Sequence, residues 1–326
     1  MPDRDGPAPF LTFARFRFYL RVQTLMVLPP YKGAVFRGAF GNSLRRLVCM
    51  TQNSDCQSCL LRERCMYVAL FEPPPPAGLT QSRKFRQAPR PYILNPPLTN
   101  RQAFYLNDTL AFDLTLIGPA IEALPYFVYI FDKIGDRGLG PEKGKFKLIK
   151  VDLLKNEQAC TIFDGSRKTF TAFLPETGPT SDATDTQVTS VTLKFLTPLR
   201  IKEKGRLVTE LTSHLFIERM MQRLHLLASF YGNHRGNSQG SALSAFHGHE
   251  LLPLAYHLTM TGLGLHWYDW ERTSQRQQTK MSFGGLRGSC TLQGKLTPLL
   301  PYLRLAEQVN LGQGTSFGLG RIRLEY

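Results

Sequence analysis

Residues 12–23 read TFARFRFYLRVQ, and this stretch decides the fold. Ala14, Phe16, Phe18, Leu20 and Val22 fall on one side of a two-residue alternation. Arg15, Arg17, Tyr19, Arg21 and Gln23 fall on the other. Period two with one apolar side is the signature of a half-buried strand. Beyond Pro29 and Pro30 the period changes: Phe36, Phe40, Leu44 and Leu47 recur at helical spacing and predict a helix with those four turned inward. A strand follows at 109–117 (TLAFDLTLI), and a second helix carries Leu124, Phe127, Phe131 and Ile134, with Gly135 expected to stop it. The glycine turn GDRGLGPEKG (135–144) leads into the strand KFKLIKVDLL.

The same order recurs in the second half. TSVTLKFL (189–196) reads as a strand, and a helix is expected from Thr212 to Tyr231 with Phe216, Met220, Leu224 and Leu227 inward. Strands are expected at 263–270 and 286–293. A short helix begins near Thr297, with Pro298 and Pro301 in its opening turn, where the missing N–H costs nothing. A glycine turn, GQGTSFGLG (312–320), precedes the last strand, RIRLEY. Each half therefore predicts βαββαβ, and the fold class is α+β: tandem ferredoxin-like (RRM-like) domains over 1–180 and 188–326. The proline-laden 73–97 and the polar 175–188 (PETGPTSDATDTQV) read as loops, the second as the linker.

The chain of 326 residues carries 40 Lys and Arg against 25 Asp and Glu, a net charge of +15. Such a field draws polyanions, nucleic acid first and a membrane surface second. No apolar run approaches the roughly 20 residues that span a bilayer, and MPDRDGPAPF lacks a signal-peptide core, so a cytoplasmic location and no membrane partner are expected. Reduced thiols follow from that location. Cys49, Cys56, Cys59 and Cys65, spaced C-x6-C-x2-C-x5-C, form a four-cysteine insertion at 49–65 suited to structural zinc, with an iron–sulfur cluster as the alternative. Cys160 and Cys290 lie in strand-like contexts and are expected to be buried.

Three groups of residues point to phosphate. Gly312, Gly314, Gly318 and Gly320 let a backbone come close to an anion, Thr315 and Ser316 add hydroxyls, and Gln313 and Arg321 add amide and cationic contacts. Gly138, Gly140 and Gly144 repeat the pattern in the first half. The stretch RTSQRQQTKMSFGGLR (272–287) interleaves Arg272, Arg276, Lys280 and Arg287 with polar residues, a composition that contacts phosphate and sugar. Trp267, Tyr268 and Trp270 just upstream offer stacking surfaces; solvated cations over core tryptophans would read equally well from this stretch alone.

The order TPLRI, FIERMMQRLHLLASFYG, WERTSQRQ, GGLRGSCTLQG and LAEQVNLGQGTSFGLGRIRLEY resembles the C-terminal region of CRISPR precursor-RNA processing endoribonucleases of the RAMP superfamily, over roughly 190–326. YKGAVFRGAFGNSLRR, the cysteine cluster and GLGPEKGKF resemble one branch of that family. The resemblance implies CRISPR repeat RNA as substrate, crRNA as product, cleavage without metal, and a 2′,3′-cyclic phosphate beside a 5′-hydroxyl. Other CRISPR effector subunits are further partners it allows. Asn310 and Gln313 stand where members often carry His and Lys, which weakens phosphate contacts there or moves a catalytic role elsewhere.

Cleavage by a 2′-hydroxyl needs a base, an acid for the leaving oxygen and a cation for the phosphorane. Histidine titrates in the right range, and His247 and His249 in AFHGHE are the leading pair, with Tyr31 as a further candidate. Arg37 and Arg45 are candidates for cationic, RNA-binding roles. His225, sharing a helical face with Glu218, Gln222 and Ser229, reads as solvent-facing. Two other readings stay open: a non-catalytic RAMP subunit holding guide RNA in an effector complex, and a zinc-containing DNA-binding regulator, which the sequence supports with no helix-turn-helix pattern.

Overall fold

A computed structural model describes residues 10–52, 55–74, 88–155, 158–179, 187–232, 246, 248–269, 271–274 and 279–326. They fall into two compact units. Phe13–Glu176 make the first; the second holds Thr177–Tyr326 together with the residues up to Thr12.

The first unit is built on β1 (Leu11–Val22), whose alternation is as the sequence requires: Ala14, Phe16, Phe18, Leu20 and Val22 are buried. α1 (Gly33–Val48) and the short α2 (Met66–Phe71) follow, then β2 (Tyr92–Asn95), β3 (Thr109–Ile117), α3 (Leu124–Arg137) and β4 (Phe146–Lys155). β1 lies between β3 and β4, antiparallel to both, and β2 borders β3, giving the order β2-β3-β1-β4 of a βαββαβ unit. Two further strands, β5 (Gln158–Asp164) and β6 (Thr169–Phe170), extend the sheet past β4.

Phenylalanine fills the space between sheet and helices. Phe40 of α1 stacks on Phe127 of α3 with centroids 4.0 Å apart, and Phe112 of β3 stacks on both Phe18 and Phe36 at 4.9 Å. Truncating a fully buried ring such as Phe40 costs about 3–5 kcal/mol. Two glycines set the approach distances. A Cβ on Gly41 would lie 2.7 Å from the Phe71 ring, so glycine lets α2 close on α1. A Cβ on Gly135 would lie 2.3 Å from the Phe146 carbonyl oxygen. Gly135 therefore does not stop α3, as the sequence predicted. It admits the β4 backbone, and the helix runs on to Arg137 and ends against Gly138 at φ 91°. Leu47, predicted inward, is exposed at the end of α1, where the helix outruns the core.

The expected loop at 73–97 contains β2, an edge strand buried at all four positions. The outward side of β1 is less cationic than its composition. Arg17 bonds Asp113 through Nε and Nη2 at 2.6 and 3.1 Å, and Arg15 lies 3.5 Å from Glu176. Lys150 sits over the Tyr19 ring at 4.6 Å and pairs with Asp152, whose other oxygen accepts from Thr161.

The second unit repeats the plan. β7 (Ser190–Leu199) leads to α4 (Ser213–Tyr231), whose N-cap Thr212 accepts from the Leu215 amide at 3.3 Å. Short strands β8 (Thr259–Thr261) and β9 (His266–Tyr268) both pair with the later β12, and a hairpin of β10 (Glu271–Ser274) and β11 (Thr279–Ser282) intervenes. β12 (Gly285–Gln293), α5 (Leu300–Val309) and β13 (Ile322–Glu325) complete it. The order is β8-β12-β7-β13, antiparallel throughout, so the duplication expected from sequence is present in topology as well as in element order. Phe216, Met220, Leu224 and Leu227 of α4 are buried as predicted, and Phe10 meets Phe246 edge-on at 5.2 Å. Cys290 is buried in β12, whereas Cys160, expected buried, is exposed in the first half of β5, where Gln158–Thr161 are all exposed and burial begins only at Ile162. Of the expected linker, 180–186 lie outside the described residues. No described helix is long and apolar enough to cross a membrane.

Candidate functional site

The glycine turn 312–320 is set by backbone approach. Gly312, Gly314, Gly318 and Gly320 have φ of 77°, 78°, 80° and 67°. A Cβ on Gly320 would fall 1.7 Å from the Leu311 carbonyl oxygen, and one on Gly312 would fall 2.5 Å from that of Arg200. Only glycine folds here, because L side chains disfavour this φ and the space is taken by main chain. The turn is stitched to the end of β7: Gln313 N donates to Arg200 O at 2.8 Å, Gly320 N to Pro198 O at 3.0 Å, and the Thr197 hydroxyl to Gly318 O at 2.7 Å.

The turn has an inner and an outer side. Gln313 is exposed, and Gly312 and Gly314 are half-buried. Thr315, Ser316, Gly318 and Gly320 are buried, which corrects the expectation that both hydroxyls face a ligand. The Thr315 hydroxyl accepts instead from Arg223 of α4 at 3.1 Å. Asn310, also buried, adopts φ 50° and donates from Nδ2 to Leu319 O at 3.0 Å, so this departure from the family pattern serves the turn's own geometry. Arg321 is half-buried at the start of the last strand. In the first unit, Gly138 and Gly140 have φ of 91° and 79°, and Leu139 and Gly144 close the turn through two backbone bonds.

On β12, Arg287 lies 5.4 Å over the Tyr268 ring of β9 and opposite His266. Trp267 is exposed, its indole N–H donating to Asp269 at 2.8 Å. Arg272 pairs in register with Met281 and Lys280 with Thr273, so the basic stretch is a hairpin, which its polar composition had not announced. Arg276 and Trp270 lie outside the described residues.

Of the histidine pair expected at 247 and 249, His247 lies outside the described residues and His249 is exposed. The ring beside His249 is His225, edge to face at 4.7 Å, with Phe246 against both. His225, expected to face solvent, is half-buried in this aromatic group.

In the first unit, Arg37 lies 4.9 Å over Phe71 and Arg45 lies 5.6 Å over Tyr67, both on α1. Asn42, Arg45, Arg46, Cys49 and Gln52 line one surface pocket. Tyr31 is half-buried just before α1. Next to it is a residue that composition could not flag: Lys32 is fully buried, its ammonium donating to Pro30 O at 3.0 Å and Thr99 O at 2.8 Å. Burial without a carboxylate partner pulls its pKa down to about 8.

The four clustered cysteines are all half-buried. Cys49 caps the end of α1, Cys65 caps the start of α2, and Cys59 Sγ lies 3.7 Å from the Thr51 hydroxyl. Burial first, then Glu72, raises the Cys56 pKa, and Cys65 and Cys49 push the same way. Among the described residues no three His, Cys, Asp or Glu side chains are gathered as a metal site.

Two antiparallel βαββαβ units in one chain, the second with a glycine-rich turn before its last strand, define a tandem ferredoxin-like protein. Residues 11–173 match the AF_1859_N family, described as an N-terminal domain, and residues 193–322 match CRISPR-associated endoribonuclease Cas6. The AF_1859_N model spans half of the chain, which belongs to that family; the Cas6 match lies within the second unit.

An uncharacterized protein of Archaeoglobus fulgidus is 27% identical over 139 residues, which are 42% of this chain and 45% of that protein's length. Among solved structures, a Cas6 product complex is 17% identical, with a TM-score of 0.53 over 96% of this chain and 99% of that one. A partial Cas6-RT-Cas1–Cas2 complex is 14% identical, with a TM-score of 0.55 over 98% of this chain and 47% of that one. At these identities the two structures speak for the fold.

Proposed function

We propose that the protein binds CRISPR repeat RNA and cuts precursor crRNA by attack of a 2′-hydroxyl on the adjacent phosphorus, without metal, leaving a 2′,3′-cyclic phosphate and a 5′-hydroxyl. The observation that carries this reading is the match of residues 193–322 to an endoribonuclease family on a chain whose two units are both complete. A net charge of +15 supports a polyanionic substrate. The fold neighbours bear on partners too: one was solved as a Cas6 product complex and another with Cas1–Cas2, so further CRISPR proteins belong to the proposal.

The chemistry requires a proton acceptor at the 2′-oxygen, a proton donor at the leaving 5′-oxygen and cationic stabilisation of the phosphorane. His249 is the exposed histidine of the expected pair and takes the proton-transfer role, with His225 as the ring against which it is held. His247 and Tyr31 remain candidates for the second proton. Arg37, Arg45, Arg272, Arg287 and the outer side of the glycine turn are the proposed RNA contacts, and Arg276, Lys280 and Arg321 extend that set.

We assign the four cysteines a structural role as ligands of zinc or an iron–sulfur cluster, on the strength of their spacing.

The test is incubation with the cognate repeat RNA in EDTA. A cleaved product bearing a cyclic phosphate is expected. Tight binding with no product would refute the nuclease and leave an RNA-holding subunit; preference for duplex DNA would refute both.

A further inference from the structure

Arg223 is a buried cation with no acidic partner among the described residues. It lies on α4 at 9% exposure. One terminal nitrogen donates to Val309 O at 3.3 Å and to the Thr315 hydroxyl at 3.1 Å, both neutral acceptors. Its Nε is buried with no hydrogen-bond partner. Burial pulls its pKa down to about 10, and the one group acting the other way is the phenol of Tyr231. Among the described residues no carboxylate pairs with it, although Arg17 and Lys150, far less enclosed, each have one.

An uncompensated buried charge costs several kcal/mol, and a hydrophobic side chain of similar volume would often serve packing as well or better. Its position gives the charge a use. Thr315, which Arg223 holds, opens the turn Thr315–Phe317 between Gly314 and Gly318. Immediately before it in the chain come half-buried Gly312 and Gly314 and exposed Gln313. In a low-dielectric wall the field of the guanidinium is screened little before it reaches that surface.

We infer that Arg223 is a positioning residue for RNA phosphate: its unanswered charge behind the glycine turn draws a backbone phosphodiester onto the outer side of Gly312–Gly314. The phosphate supplies the counter-charge that no described carboxylate provides. This rests on the RNA reading above and adds a residue that touches no RNA itself.

The prediction separates charge from packing by giving stability and affinity opposite signs. Arg223→Met removes the cation and keeps an apolar stem. It should melt at the same temperature as the parent or higher, while its affinity for repeat RNA at low salt falls about threefold to tenfold. Arg223→Lys keeps the charge and should keep most of the affinity. A folded Arg223→Met that binds RNA like the parent overturns the inference and leaves the RNA reading intact. If that variant does not fold, Arg223→Lys and Arg223→Gln decide: Lys binding and Gln weakened supports the charge, and equal affinities refute it. A parent protein that binds no repeat RNA overturns the functional reading itself.

Discussion

Gly320 and Gly205 make a controlled pair for the claim that the glycine turn is dictated by main-chain crowding. Both have positive φ, 67° and 85°. Around Gly205, in the hairpin turn between Lys202–Glu203 and Arg206–Leu207, a Cβ would meet nothing within 4 Å. At Gly320 it would meet the Leu311 carbonyl oxygen at 1.7 Å, its carbon at 2.7 Å and the Leu311 nitrogen at 3.0 Å, all backbone. Alanine at 205 therefore pays only for the left-handed conformation, about 1 kcal/mol. Alanine at 320 pays that and must also displace main chain that is bonded in turn, since Leu311 N donates to Gly320 O at 2.9 Å. A further 2 kcal/mol or so is the scale for overpacking, for a total of about 3 kcal/mol. For a unit of this size each kcal/mol shifts melting by roughly 2–4 °C, so Gly205→Ala should lose about 3 °C and Gly320→Ala about 10 °C. Urea titration of the two variants checks the same ratio at constant temperature. Equal losses in the two would refute the crowding argument and leave conformational preference as the whole cause.

Two predictions lie in the first unit. The Lys32 pKa is lower folded, about 8, than in an unfolded chain, near 10.4, so between those values the unfolded state holds more protons and stability climbs as pH rises; denaturant titrations from pH 7.5 to 10.5 should show a gain of about 1–3 kcal/mol in the parent that is missing in Lys32→Met, and parallel curves would refute it. Metal analysis of purified protein should find one zinc, or iron with sulfide, per chain, lost in Cys56→Ser with a fall in melting temperature; a metal-free, equally stable parent would remove the structural-metal proposal.

Much of the fold was legible because its elements carry simple periods. β1 alternates cleanly, α4 carries four inward residues at helical spacing, and both glycine turns stand out by composition. What escaped has identifiable causes. β2 is buried at every position, so it has no alternation to read, and prolines on either side disguised it as a loop. The β10–β11 hairpin is polar and has no apolar face to betray it. Gly135 was misjudged because a glycine inside a helix and one that ends it look alike until the neighbouring strand is known. At the proposed site, the inward turn of Thr315 toward Arg223 could not be read from the turn itself, because it depends on α4, 92 residues earlier. His225 was dismissed because its helical face also carries polar residues, yet the segment that covers it arrives from beyond a stretch without periodicity. Lys32 was invisible, since lysine is almost never fully buried and nothing in its neighbours foretold that two carbonyls would converge on it.

The place of β1 at the middle of its sheet bears on how the protein is made. Made before either flank, it must wait for both: Arg17 meets its partner Asp113 across 96 residues, and the opposite flank is supplied only by Phe146–Lys155. Until then a ribbon of alternating phenylalanine and arginine has both edges unpaired, a state open to aggregation. Arg15 and Arg17, ion-paired with Glu176 and Asp113 in the folded unit, would in the nascent chain be unpaired and repel a second copy of the same ribbon.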